Sequence, residues 1–366
     1  MVSGQLQYFQ NGQPVKNTFI NSNGQTYYYD GNDNRVYGSA LVWNHWRYFD
    51  PQTGAQVKSS YETFNGQTYY YDSTGCQVYG SQLINNHWQY FDDHTGAQYK
   101  SAYVTSGGHT FYYDQNGNQV YGPQYLYGHN QYFDPHTGIQ ARNTFMNQNG
   151  KTVYYDGNGN QAFGKQFING KWYVFDNTAG AMDRNVTVTI GRQTLYIGGD
   201  GVVYGVYNDA NVICQRPELM EGCEITAVTM MLQYGGYNVN KMQLAGMLPR
   251  SSNPNTGFVG ALYQYSPAGG YVYPGGVAPV VTRIVGHSDI MTGSSMEAIK
   301  DKLCNGHLVV AWMGNMDGFE EHAITITGIN GNTVYYNDPW IGAKETMSMN
   351  DFYYHWNACG ERMLSY

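Results

Sequence analysis

Two periodicities divide this chain of 366 residues. Over roughly the first two hundred positions, aromatic and polar residues alternate in short runs, each closed by an acid and a glycine-containing turn. Tyr27-Tyr28-Tyr29-Asp30, Tyr69-Tyr70-Tyr71-Asp72, Phe111-Tyr112-Tyr113-Asp114 and Val153-Tyr154-Tyr155-Asp156 recur at 42 residues. Interleaved at the same period are Trp46-Arg47-Tyr48-Phe49-Asp50, Trp88-Gln89-Tyr90-Phe91-Asp92, Asn130-Gln131-Tyr132-Phe133-Asp134 and Trp172-Tyr173-Val174-Phe175-Asp176. The unit is therefore about 21 residues long, in two alternating types. After each aromatic run comes a turn such as Gln52-Thr53-Gly54 or Gly157-Asn158-Gly159, then a second short strand, ending in one type at Tyr37-Gly38, Tyr79-Gly80 or Tyr121-Gly122. Alternation around a glycine turn predicts a β-hairpin. One hairpin cannot bury its own apolar face, so the hairpins are expected to stack into a solenoid.

Beyond residue 205 the pattern changes. Ile225, Val228, Thr229 and Leu232 recur at helical spacing until Gly235-Gly236, which predicts a buried helix with Cys223 at or just before its first turn and Gly222 allowing a tight turn there. His322 opens the alternating segment Ala323-Ile324-Thr325-Ile326-Thr327-Gly328, expected as a strand with one buried face. Asn330-Gly331-Asn332 supplies a turn, and Thr333 to Asp338 returns as the partner strand. The open end of that hairpin brings His322 beside Asp338. The expected fold class is multidomain, with a β-hairpin repeat solenoid over 1–205 and an α+β domain over 206–366.

This juxtaposition carries chemistry. At a helix N-terminus the unpaired N–H groups and the dipole favour a thiolate, so Cys223 is a candidate nucleophile; taken alone, a free cysteine is more often a small buried hydrophobe. His322 is the candidate base and Asp338 its orienter, with Asn337 as the alternative amide. Gln215, on the segment leading into the helix, is a candidate oxyanion donor beside the Cys223 N–H, or equally a solvent-facing loop residue. Glu320 and Glu321 could tune His322 or form a solvated loop. His287, His307 and His355 open no hairpin whose far end supplies an acid, and are expected to be surface or core residues.

Val212-Ile213-Cys214-Gln215-Arg216-Pro217-Glu218-Leu219 leading into Gly222-Cys223-Glu224-Ile225-Thr226-Ala227 resembles the secreted C39-like cysteine peptidases, a papain-like family. Asn255-Thr256-Gly257-Phe258-Val259-Gly260, Tyr273-Pro274-Gly275-Gly276-Val277-Ala278-Pro279, the His322 strand and Asn337-Asp338-Pro339 extend the resemblance over roughly residues 206 to 366. It implies Cys223 as nucleophile, His322 as general base, Asp338 as orienter and Gln215 in the oxyanion hole. His307 departs from the small or proline-like residue usual at its place. The transporter-fused members trim double-glycine leaders; no transporter segment is present, so that substrate does not carry over.

The repeats resemble glucan-binding and choline-binding cell-wall repeats, the Tyr-Gly endings being closer to the glucan-binding modules of glucansucrases. Of the 37 tyrosines, 25 precede residue 206, more than hairpin packing requires. Candidate sugar platforms are Tyr28, Trp46, Tyr48, Tyr70, Trp88, Tyr90, Tyr112, Tyr132, Tyr154 and Trp172, whose rings can stack on sugar faces beside amide and acid neighbours. Asn130 stands where sister units carry Trp46, Trp88 and Trp172. The repeat region has 11 basic and 13 acidic residues and the remainder 8 and 14. Such near-neutral, amide-rich surfaces suit neutral polysaccharide and exclude the basic stripe of a nucleic-acid binder.

Five irregularly spaced cysteines form neither a disulfide framework nor a zinc motif, though a Cys214 pairing with Cys304 or Cys359 stays open. No cofactor or metal is expected. The chain opens Met1-Val2-Ser3-Gly4 without a basic, apolar leader and has no stretch long enough to span a membrane. Since wall-type repeats belong outside the cell, a removed leader and a bacterial surface location are expected. The combined expectation is a wall- or glucan-associated cysteine peptidase acting on peptides or peptidoglycan peptides. An adhesin with an inactive papain-like domain and a thioester-forming transferase are the alternatives.

Overall fold

The computed structural model describes residues 6–266 and 269–366. Two compact units divide the chain, Met1–Met146 with Tyr154–Gln161, and Asn147–Val153 with Ala162–Tyr366.

In the first unit the repeats are hairpins of five-residue strands, among them Thr18–Ser22 with Gln25–Tyr29, Ser60–Phe64 with Gln67–Tyr71 and Gly122–Leu126 with His129–Phe133. The hairpin differs from the expected one. Each aromatic run pairs with the strand before it, so that Phe64 faces Gln67 and Ser60 faces Tyr71. The connecting Asn65-Gly66 has φ of 51° and 75°, the left-handed pair of a type I′ turn, whose twist matches that of the strands. The acid-and-glycine turn after the aromatic run has another task. Asp72 Oδ1 accepts the Thr74 and Cys76 N–H groups at 2.8 and 2.9 Å, and the chain then crosses to the preceding repeat, where Gln77 N donates to Trp46 O at 2.9 Å. Gln98 N to Thr68 O (2.7 Å) and Gln119 N to Trp88 O (2.8 Å) continue the series. Glycine is required in these turns: Gly117 stands at φ +81°, and a Cβ there would collide with the Gln98 amide of the neighbouring repeat.

Many of the amides are interior. Gln89, Gln98, Gln131 and Gln140 are buried. Gln98 Nε2 donates to Gln89 Oε1 (2.6 Å), Gln89 Nε2 to Asn118 Oδ1 (3.1 Å) and Tyr61 Oη to Gln89 Oε1 (2.8 Å). The same set recurs 42 residues on with Gln140, Gln131, Asn160 and Tyr103. The amide-rich surface expected from composition is thus in part an amide-rich core, its groups paired as burial demands.

Among its described residues the second unit has five helices, α1 (Cys223–Tyr234), α2 (Lys241–Met247), α3 (Pro274–Val285), α4 (Met296–Cys304) and α5 (Met349–Ala358). They accompany an antiparallel sheet in the order Val186–Ile190, Gln193–Ile197, Val203–Asn208, Phe319–Asn330, Val309–Met316, Met363–Ser365 and Asp289–Ile290. Thr333–Asp338 pairs with the other edge of Phe319–Asn330 and carries Ala343–Ser348 beyond it. The expected boundary at 205/206 falls inside a strand of this sheet, Val203–Asn208, which pairs Val206 with Ile329. Buried Asn208 secures it, donating to Thr327 O (3.1 Å) and Leu303 O (3.2 Å) and accepting from Gln193 Nε2 (2.9 Å).

Helix α1 ends where Gly235 was expected to stop it, and Glu224 to Leu232 are all buried. Gly222 has φ −113°, so its role is close approach instead of a tight turn: a Cβ would lie 2.6 Å from Leu219 Cβ and 3.3 Å from Leu262 Cδ1. The histidine strand begins earlier than predicted, at Phe319, and His322 to Ile329 are buried without alternation. It pairs with Val203–Asn208, Val309–Met316 and Thr333–Asp338, and with α1 and α4 packed on it neither face meets solvent over that run. Thr325 Oγ1 donates to Ala227 O at 2.9 Å, tying this strand to α1.

Candidate active site

The hairpin Phe319–Asn330/Thr333–Asp338 closes through Gly331-Asn332 and pairs Thr325 with Asn337. That register sets His322 and Asp338 together at its open end, with His322 Nε2 at 3.1 Å from Asp338 Oδ1 and both side chains buried. Asp338 Oδ1 also accepts the N–H groups of Trp340 (2.7 Å) and Ile341 (3.3 Å). Burial pushes the Asp338 carboxyl up, but the His322 hydrogen bond and charge and the further donors outweigh it and hold the group below the usual range. With Nε2 committed, Nδ1 is the imidazole nitrogen left to accept a proton. Trp340 shelters the pair: its ring meets Phe319 edge-on at 4.9 Å, Phe319 stacks on His322 at 5.8 Å, and Arg216 lies over the indole at 4.1 Å.

Cys223 is the first residue of α1. The helix N-terminus predicts a thiolate, yet burial, followed by the charge and hydrogen bond of the adjacent Glu224, raises this thiol well above its ordinary pKa. The side chain is nonetheless only half-buried. Among the described residues no hydrogen bond joins Cys223 Sγ to His322; catalytic contacts are commonly long before substrate is bound. Glu224, absent from the sequence-derived candidates, is buried, accepts Val272 N at 2.9 Å on Oε1 and has no partner on Oε2. Burial lifts its pKa to about 7. Its place directly after the cysteine in an apolar helix was the available signal, since an acid there must be neutral or paired.

Gln215 is buried, which removes the solvent-facing alternative. Its Nε2 donates to Met220 O at 3.0 Å and its Oε1 has no partner, while its backbone N–H donates to Pro339 O at 2.8 Å, next to Asp338. Asn337 is turned elsewhere, its Nδ2 on Asn211 O at 3.1 Å, so of the two it is Asp338 that meets the imidazole. Glu321 is no solvated loop residue: it accepts from Tyr273 Oη (2.8 Å) and faces Arg362 at 3.7 Å. His355 Nδ1 lies 2.8 Å from Gly314 O, and the His307 ring packs on Tyr366 at 4.5 Å.

Asp317 is a second group missed in the sequence. Asp317-Gly318, both at positive φ, forms the two-residue turn between Met316 and Phe319, an Asp-Gly hairpin signal legible beforehand. It sets Asp317 Oδ2 at 3.8 Å from His322 Nε2, and burial together with the nearby Asp338 raises the Asp317 carboxyl to about 6. Asp317, His322 and Asp338 each offer one ligand atom within 4.8 Å of the others, the arrangement among the described residues able to hold a cation. All five cysteines are unpaired, with Cys304 and Cys359 buried.

The candidate sugar platforms fall into four groups. Trp46 and Trp88 are well exposed, at 44% and 43%. Tyr48, Tyr70, Tyr90 and Tyr132 are half-buried, each with a ring neighbour, such as Phe64 stacked on Tyr48 at 5.2 Å. Tyr28, Tyr112 and Tyr154 are buried, packed on Phe19, Tyr103 and Phe145 at 4.8 Å. Trp172 is half-buried and occupied, its Nε1 donating to Asp301 Oδ1 at 3.2 Å with Lys165 over the ring.

Residues 207–363 match the family model described as "Peptidase_C39 like family", and residues 58–103 and 101–145 match the "Choline-binding repeat" model. "Uncharacterized protein YvpB" of Bacillus subtilis (strain 168) is 28% identical across 40% of this chain and 70% of its own length. Among solved structures, CbpJ from Streptococcus pneumoniae TIGR4 aligns at 21% identity over 54% of this chain and 75% of its own, with a TM-score of 0.46. A C39-like peptidase from Bacillus anthracis aligns at 27% identity over 43% and 98%, with a TM-score of 0.40.

Proposed function

We propose that this chain, which carries a C39-like peptidase domain behind choline-binding repeats, is a cysteine peptidase held at the bacterial cell surface, outside the membrane, by its repeats. The observation that carries this reading is the buried His322–Asp338 pair, 3.1 Å apart, in the domain whose first helix opens on Cys223. Substrate binding brings His322 Nδ1 to the thiol, and the imidazole takes the proton as Cys223 Sγ attacks the peptide carbonyl. Asp338 fixes the ring and stabilises the imidazolium. The Cys223 N–H and Gln215 Nε2 are the donors for the oxyanion, the latter swinging from Met220 O. Collapse releases the amine, and water hydrolyses the thioester. The repeats, taken as residues 1–205 beside a peptidase domain over 206–366, bind wall polysaccharide, α-glucan or a choline-bearing wall polymer, with Trp46 and Trp88 as the open platforms; the peptide substrate is then one held in the same wall. Among the described residues no helix is long and apolar enough to cross a membrane.

The raised thiol and the missing Cys223–His322 bond favour a second reading, a binding protein whose peptidase domain is silent. Incubation of the full chain with soluble muropeptides and with a peptide library, followed by mass spectrometry, separates the two. Hydrolysis lost by about 10³-fold or more in Cys223→Ala and His322→Ala supports the peptidase. Identical product lists from wild type and Cys223→Ala support the binding protein. A product coupled to added glycinamide identifies a transferase, which shares the thioester.

A further inference from the structure

We propose that Arg250 forms a carboxylate-reading subsite beside the nucleophile, so that the preferred peptide carries an acidic group within a few residues of the scissile bond. This inference rests on the peptidase reading above.

A cleft of about 690 Å³ is lined by Arg250, Ser251, Phe258, Leu262, Tyr263 and their neighbours. Its wall adjoins the catalytic helix. Glu221 N donates to Leu262 O at 3.2 Å, and Gly222 approaches Leu262 so closely that a Cβ would touch it. These are the two residues before Cys223. A peptide seated with its carbonyl at Cys223 therefore has this cleft within reach of its neighbouring side chains.

The guanidinium is held in place by stacking. Its carbon lies 5.1 Å from the Phe258 ring centre and 5.7 Å from that of Tyr263, and Nη1 donates to Gly260 O at 3.3 Å. Stacking on two rings orients a planar cation without consuming its in-plane N–H donors. Arg250 is exposed, and among the described residues no carboxylate lies within ion-pair distance of it. A cation needed only as a staple could be buried and paired. This one presents a pre-oriented fork to the cleft, the geometry that takes a carboxylate in two hydrogen bonds. The surrounding sequence is acidic, with 14 acids against 8 bases from residue 206 onward, so general attraction cannot supply such a preference and a local cation must.

The test uses peptidyl vinyl sulfones in matched pairs, with one glutamate or one glutamine moved through the four positions next to the electrophile. Rates of Cys223 modification are read by mass spectrometry on the full chain, with iodoacetamide as a probe that ignores the subsite. At one position the glutamate probe should react about tenfold faster than its glutamine twin, as a charge-assisted bidentate contact provides. Arg250→Gln should bring that ratio to about one, and Arg250→Lys should retain part of it, both leaving the iodoacetamide rate unchanged. A ratio near one at every position in the wild type, or a ratio that survives Arg250→Gln, overturns the subsite while the peptidase reading stands. If no peptidyl probe modifies Cys223 and iodoacetamide alkylates it no faster than Cys76, both readings fall.

Discussion

At the residue scale, electrostatics around the nucleophile run against the simplest expectation. A helix N-terminus offers a fraction of a charge, screened and short-ranged, whereas burial and an adjacent carboxyl act directly on the sulfur. Glu224 makes this testable. Its folded pKa of about 7 exceeds the ordinary 4.5, so between those pH values the folded chain holds a proton that the unfolded chain has lost. Stability from this group is therefore complete below about pH 4.5 and falls as pH rises toward 7, by on the order of 3 kcal/mol. Glu224→Gln keeps an acceptor for the Val272 N–H and removes the titration. Its urea midpoint should change less between pH 4.5 and 8 than that of the wild type, and Cys223 should be alkylated at lower pH. An unaltered slope would mean that another group carries it. Asp317, raised to about 6, has the same sign, and Asp317→Asn should remove a smaller loss of stability between about pH 4 and 6.

Elements show how much of the local structure is carried by few atoms. Among the described residues, Thr325 is the one hydroxyl through which the histidine strand bonds the backbone of α1. Thr325→Val, nearly the same shape, leaves Ala227 O without that donor and should cost about 1 kcal/mol in chemical denaturation, with a larger proportional loss of hydrolysis if the α1–strand spacing sets the Cys223–His322 distance. In the repeats, Gly117→Ala forces an L side chain to φ +81° against the Gln98 amide and should destabilise by about 1–3 kcal/mol. Asn86→Ala, in a hairpin turn at φ 65°, should cost less, because no neighbour is displaced. Equal effects would show that turn conformation alone, without the Gln98 contact, explains the glycine. Hairpin pairing illustrates why elements are harder to read than motifs. Every unit contains two turn signals, Asn65-Gly66 and the Asp72–Gly75 segment, and both are chemically sound. The type I′ geometry selects the former, and the Asp72 side chain turns the latter into a connector by capping its N–H groups.

For the whole molecule, the division of labour predicts separable losses. Replacing Trp46 and Trp88 together with alanine should release the protein from insoluble α-glucan, choline-agarose or purified wall while leaving hydrolysis of a soluble peptide unchanged; unchanged retention would move the binding surface off these rings. Because the repeat region is near neutral, retention should change little between low and high salt, unlike binding through ion pairs. Competition by free choline or by isomalto-oligosaccharide then identifies the polymer.

The amino-acid sequence by itself determined the repeat period, the helix from Cys223 to Gly235, the hairpin that unites His322 with Asp338, and the α+β class of the second half. All of these rest on interactions between residues near in the chain or on a period that recurs along it, which is why side-chain pattern and turn chemistry suffice. The tertiary structure alone decided which glutamines are core and which rings are open, since both depend on packing between successive repeats. It also made Val186–Asn208 part of the peptidase-domain sheet, turned Asn337 to Asn211 and away from the histidine, and brought Val272 to Glu224 and Leu262 to the residues before Cys223. Those placements come from contacts between segments distant in sequence, where burial and charge act through space and leave no periodic trace along the chain.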